Sequence, residues 1–190
     1  MARLSFAAMN IAVRTATTDD ATAIARVNVA SWQAAYRGIV SDRFLRGVSA
    51  GARERAWRDG IFGDPSRLTL VAQRDGEVIG YCGLSTPSRD EDAGPGVAEI
   101  AAIYVHPDTW RTGAGGVLME AALANLRDAG WRVVTLWVFE ANERARGFYA
   151  RYGFTLDGSR QRRPDLGRNA VEVRLRLILW ATRTQAVAAT

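Results

Sequence analysis

Apolar and polar positions recur with two periods along this chain, and the switches between them mark its elements. Ile11 to Thr15 is a short β-prone stretch, and Thr17-Thr18-Asp19-Asp20 supplies cap-type side chains ahead of a helical pattern over Ala21 to Trp32. The segment Trp32-Gln33-Ala34-Ala35-Tyr36-Arg37-Gly38 leads into a second helix, expected over Gly51 to Ile61. Leu68 to Arg74 and Val78 to Ser85 read as strands joined through Asp75-Gly76, a dipeptide that accepts the positive φ of a tight hairpin. A polar loop with the acidic run Asp90-Glu91-Asp92 precedes a strand over Val97 to Val105, which stops at His106-Pro107 because proline cannot donate to a ladder. Then follow a helix over Val117 to Ala129, an apolar strand over Val133 to Phe139, and a helix over Asn142 to Tyr152 ended by Gly153. Phe154 to Leu156 reads as a short strand, the Arg-rich segment after it as a loop, and Val171 to Leu179 as a last strand. No repeat or linker divides the pattern, so one mixed α/β domain is expected over 11–180, with an extension at 1–10 and a tail at 181–190.

Composition narrows the class. At 190 residues the chain is long enough to bury one core, and 48% hydrophobic with 24% charged residues is ordinary for a globular protein. No stretch approaches the roughly 18 apolar residues of a membrane span, and Met1 to Asn10 is a poor signal peptide. The single cysteine, Cys82, permits no internal disulfide, which suits the cytoplasm. The net charge is +5 and every basic residue is Arg. Because these arginines are spread out, with only Arg160-Gln161-Arg162-Arg163 compact, they read as solvated surface rather than a nucleic-acid face.

Candidate chemistry begins at Trp110-Arg111-Thr112-Gly113-Ala114-Gly115-Gly116, between a strand and a helix. Glycines let the backbone approach a phosphate, and the first amides of the helix are unpaired donors at the positive end of its dipole. The run lacks the Lys of a nucleotide-triphosphate loop and the spacing of a dinucleotide fingerprint, and plain connection chemistry gives such turns too. Glu99 stands in an otherwise apolar strand, where alternation puts it on the side of Ala101, Ile103 and Val105 unless a bulge intervenes. It is either a base or a salt-bridged strand glutamate. Cys82 reads as an inert core thiol, and His106 has no second ligand in sight, so no metal is expected.

Ile103-Tyr104-Val105-His106-Pro107, the turn Arg111 to Gly116 and the segment Asn142-Glu143-Arg144-Ala145-Arg146-Gly147-Phe148-Tyr149-Ala150-Arg151-Tyr152-Gly153-Phe154 together resemble the GNAT superfamily of acetyl-CoA-dependent N-acetyltransferases. The similarity spans about Ile11 to Leu179, with one departure: Trp110 stands where the family has Arg or Gln three residues before the first glycine. The resemblance implies a mostly antiparallel central sheet flanked by helices, with splayed central strands. It implies direct acetyl transfer from acetyl-CoA to a primary amine of a small molecule or peptide, without an acyl-enzyme, metal, nucleic acid or membrane, and it leaves room for a homodimer. A non-catalytic acyl-CoA-binding or sensing module is the alternative.

On that resemblance the cofactor lies against Ile103, Tyr104 and Val105 through their backbone, and against Arg111, Thr112, Gly113, Ala114, Gly115, Gly116, Asn142 and Tyr149. Asn142 serves equally well as a plain helix cap. Tyr149, on one helix face with Asn142 and Ala145, is the expected acid for the departing thiolate, and Glu99 the base. Glu99 would stand roughly 7 to 10 Å from a carbonyl held near Ala101 or Ala102, so its proton transfer would pass through water. The acceptor is expected near Trp32, Tyr36, Phe139 and Glu140.

Overall fold

A computed structural model describes residues 11–168 and 170–179. The expectations for 1–10 and 181–190 lie outside these residues. Seven strands, β1 (Ile11–Thr15), β2 (Arg67–Arg74), β3 (Glu77–Ser85), β4 (Val97–Val105), β5 (Val133–Phe139), β6 (Thr155–Arg162) and β7 (Val171–Ile178), form one sheet in the order β1-β2-β3-β4-β5-β7-β6. Among the described strands only the β4–β5 pair is parallel. The β2–β3 hairpin turns through Asp75 (φ 53°) and Gly76 (φ 83°), the conformation its sequence accepts.

Helices α1 (Ala21–Ala35), α2 (Asp42–Gly47) and α3 (Ala50–Ala56) lie on one side of the sheet, and α4 (Ala114–Asp128) and α5 (Glu143–Ala150) on the other. Side-chain alternation along the strands feeds the two layers separately. Cys82, Leu84, Ile100, Leu136 and Val173 join Leu118, Met119 and Tyr149 in the α4–α5 layer, whereas Val71 and Tyr81 join Ile24, Val27 and Trp57 on the α1 side. A third cluster, Val40, Leu45, Phe139, Leu166 and Ala170, ties α2 to the ends of β5 and β7. Among the described residues no helix is long and apolar enough to cross a membrane.

Three expectations are corrected. The expected Gly51–Ile61 helix starts at Ala50 and changes at Trp57 into a π-type turn, and α2 precedes it, capped by Ser41 Oγ accepting from Phe44 N (3.3 Å). The strand expected to end at Leu156 runs to Arg162, so most of the Arg-rich segment is β6 paired with β7. Its polarity is that of an exposed edge strand. Arg174 of β7, read with the other arginines as solvated surface, is nearly buried and ion-pairs with both Asp90 and Asp92 of the acidic run.

Candidate active site

β4 and β5 pair only over Val97–Glu99 with Val133–Thr135, after which β4 stays with β3 and β5 with β7. The parting opens a cleft of about 940 Å³ that runs from the glycine turn to the ends of α1 and α3. A bulge sharpens it: Gly83 faces Ala102 and Leu84 faces Ile100, leaving Ala101 without a partner. The extra residue reverses the alternation, so Glu99 shares a face with Ala102 and Tyr104 and not, as simple alternation predicts, with Ala101, Ile103 and Val105. Ile103 and Val105 pack instead against the α4–α5 layer. Glu99 thereby stands on the α1 side of the cleft.

At one end the turn presents amides with no intrahelical partner. Gly113 caps α4 with φ 91° and Arg111 has φ 64°. The first intrahelical bond is Val117 N to Gly113 O (3.1 Å), so the amides of Ala114, Gly115 and Gly116 precede it. A Cβ on Gly115 would lie 3.5 Å from the Phe148 ring, and one on Gly116 only 3.2 Å from the Tyr152 hydroxyl. Phe148 and Tyr152 therefore wall this turn as well as packing inward.

Trp110, the departure from the family pattern, has a local task here. Its indole Nε1 donates to Val105 O (2.7 Å), which also accepts from Ser31 Oγ (2.9 Å), so the end of β4 is pinned from both sides. The Arg144 guanidinium lies 3.5 Å from the Trp110 ring centre. Partial burial, and then the Arg111 charge, hold Arg144 below the usual guanidinium range. Arg111, Arg144 and Arg151 all line this end of the cleft. The last two were missed in the sequence, although they lie seven apart, on α5 and at its C-cap, a spacing that puts them on one helix face.

Along the middle, His106 N bonds Ile79 O (2.8 Å). The two-residue alternation of an antiparallel ladder then turns the peptide groups of Tyr104 toward β3 and those of Ile103 and Val105 toward the cleft. Asn142 Oδ1 caps α5 by accepting from Ala145 N (3.1 Å), which leaves its amide hydrogens available. Tyr149 is buried in the cleft wall, its ring against Phe148 and Phe154 at centroid distances of 5.4 and 5.9 Å. Burial, then Tyr104 and Cys82, push its phenol well above the ordinary tyrosine range, so the hydroxyl keeps its proton. Cys82 is fully buried and its thiol is pushed up to about 12 by that burial.

The far end is aromatic and charged. Trp32, Tyr36 and Phe139 line it, with Tyr36 edge-on to Trp32 and Phe139 at 4.9 and 4.8 Å and its hydroxyl 3.0 Å from that of Tyr104. Glu140 is not among the lining residues; its carboxylate pairs with Arg160 of β6 (2.5 Å). Glu99 lines the cleft in an ion pair: Arg89 Nη2 reaches Oε1 (2.5 Å), and Arg89 Nε and backbone N reach Oε2 (2.9 and 3.2 Å). Arg53, Trp137, Arg163 and Glu172 also line this end. Of these, Trp137 was legible from its two-residue spacing to Phe139 on β5. The others depend on contacts between distant segments.

Comparison with known proteins agrees with the geometry. The model of the acetyltransferase (GNAT) family matches residues 29–154. An uncharacterized N-acetyltransferase of Mycobacterium tuberculosis is 38% identical over 97 residues, 51% of this chain and 58% of that one, so the chain spans little more than half the length of that relative. The uncharacterized N-acetyltransferase YuaI of Bacillus subtilis is 31% identical over 137 residues, covering 70% of this chain and 73% of that one. Among solved structures, the PaiA N-acetyltransferase of Thermoplasma acidophilum in complex with coenzyme A superimposes with a TM-score of 0.69 at 20% identity, over 90% of this chain and 99% of that one.

Proposed function

Because the chain belongs to the GNAT acetyltransferase family, we propose that it transfers the acetyl group of acetyl-CoA directly to a primary amine of a small molecule or peptide. When bound, acetyl-CoA supplies an activated thioester. The amides of Ala114, Gly115 and Gly116 would hold its pyrophosphate, with Arg111, Arg144 and Arg151 around it and Thr112 and Gly113 shaping the turn. The cleft-facing peptide groups of Ile103, the N–H of Val105 and the free amide hydrogens of Asn142 would hold the pantetheine arm, the carbonyl of Val105 being taken by Trp110 and Ser31. Tyr104 would contribute its side chain to the wall rather than its backbone.

Tyr149 is the acid in this reading, because burial keeps its phenol protonated and a departing thiolate needs a proton. Glu99 is the base through water. Of roughly four lone-pair positions on a carboxylate, Arg89 occupies three, which leaves one on Oε1 for a water. A covalent route through Cys82 is disfavoured by its burial and raised pKa.

The observation that carries the reading is one continuous cleft joining the unpaired amides of α4, the Tyr149 wall and the Glu99 carboxylate. The test is release of free thiol from acetyl-CoA by the purified protein over a broad panel of amines. Amine-dependent release supports transfer; tight CoA binding with no release from any amine would replace it by an acyl-CoA-sensing role.

A further inference from the structure

Six arginines line the cleft, and their partners sort them. Arg111, Arg144 and Arg151 stand at the glycine turn, where a phosphorylated cofactor brings the anion. At the opposite end Arg89 is matched by Glu99, and Arg163 by Asp165 (3.1 Å) and Glu172 (3.3 Å). Arg53 of α3 is also at that end, with its guanidinium 5.2 Å from the Trp32 ring centre. No carboxylate among the described residues stands within ion-pair distance of it.

We propose that the acceptor carries a carboxylate besides its amine, and that Arg53 receives that carboxylate; this rests on the acetyl-transfer reading above. Three features of the corner support it. The stack on Trp32 holds the guanidinium against the cleft wall instead of leaving it to solvent. Burial raises the Tyr81 and Tyr104 phenols, and the Arg53 charge is among the smaller influences that oppose it at both hydroxyls, so it acts into the aromatic pocket. The Trp32 indole N–H, in the same wall, is buried beside the Tyr104 hydroxyl without completing a hydrogen bond to it, so the corner holds more donors and positive charge than the protein itself satisfies.

A plain hydrophobic amine would leave that surplus in place, and a diamine would put a second cation beside Arg53. A carboxylate answers it with the paired hydrogen bonds that a planar guanidinium offers. Trp32, Tyr36 and Phe44 supply the remaining wall, which fits an amino acid or short amino-acid conjugate with an apolar side chain.

The experiment compares L-phenylalanine, L-leucine and L-methionine with their carboxamides, both as acceptors in CoA release and as calorimetric ligands of the CoA-loaded protein. The expected result is a preference for the acids of about tenfold or more, the usual scale for a charge-assisted bidentate contact. In Arg53→Gln the acid-to-amide ratio falls to near one, and Arg53→Lys restores part of it. Arg55→Gln, on the exposed side of α3, keeps the wild-type ratio. A ratio near one in the unaltered protein, or one that survives Arg53→Gln, overturns the proposal. If no amine releases CoA although CoA binds, the acetyl-transfer reading fails, and the calorimetric ratio still decides the role of Arg53.

Discussion

Glu99 is gripped by Arg89 through three hydrogen bonds, two from the guanidinium and one from the backbone, so the carboxylate is oriented before any amine arrives. The grip also makes a structural role plausible on its own, and the two roles separate by kinetics. As a base, Glu99→Gln keeps most of the shape and lowers kcat by about a hundredfold or more, with CoA affinity unchanged. A change confined to stability or to KM would leave Glu99 as a strand ion pair only.

Tyr149→Phe removes the phenol hydroxyl and little else, since the ring contacts to Phe148 and Phe154 remain. A loss in kcat of about 10² or more is expected with acetyl-CoA. The pH dependence has a definite sign. The phenol is raised above the ordinary value of about 10, so the acid stays protonated as pH rises through neutrality, and kcat should show no alkaline fall below about pH 10 that traces to Tyr149. A descending limb near pH 8 that vanishes in Tyr149→Phe would contradict this assignment.

Much of the site was legible because each of its parts is local. Gly113 to Gly116 declares a turn before a helix, and Asn142, Ala145 and Tyr149 fall on one helical face. What escaped depends on contacts between distant segments. A bulge in this strand was allowed for, but nothing in Glu99-Ile100-Ala101-Ala102 places it; its position at Ala101, which inverts the face of Glu99, is set by register against β3. Arg89 and Arg174 looked like surface charges until the fold brought Glu99 and the acidic loop to them. β6 was cut short at Leu156 because an edge strand exposed on both faces carries no apolar alternation.

Gly113→Ala tests the turn. A Cβ there meets nothing within 4 Å, so the cost is conformational: φ 91° is a region that side chains avoid. A loss of about 1 kcal/mol in unfolding free energy is expected, with a weaker dissociation constant for CoA as the loop relaxes. Unchanged CoA affinity in a destabilised protein would dissociate the turn from the cofactor.

Arg144→Ala should weaken CoA binding several-fold at low ionic strength and progressively less as salt is added, since an exposed guanidinium acts across a screened distance. Titrations at two salt concentrations suffice. If the loss is the same at both, Arg144 serves through its stack on Trp110, and hence through the end of β4.

Arg174→Met reaches the same site from outside the cleft. Arg174 is nearly buried and holds Asp92 (2.5 Å), Asp157 (2.6 Å) and Asp90 (3.2 Å), while Asp90 Oδ1 also accepts from Trp137 Nε1 (2.8 Å). This hub anchors the loop that carries Arg89. Removing the cation leaves three carboxylates together, at a cost of about 2 kcal/mol once partial exposure is allowed for. Hydrogen bonding to Arg174 lowers Asp92; for Asp157, burial is the largest influence and pushes up, but bonds from Ser159 and Arg174 outweigh it and the carboxyl titrates low. Depressed carboxyl values contribute stability that is present above the unfolded value near 4 and lost as pH falls through the folded one. Urea melts should therefore separate wild type from Arg174→Met most at about pH 6 to 7 and bring them together only at a pH low enough to protonate the depressed carboxyls. A gap that stays constant down to that pH would mean that Arg174 acts by packing on Trp137, whose ring centre lies 5.6 Å away, and not by holding the loop through charge.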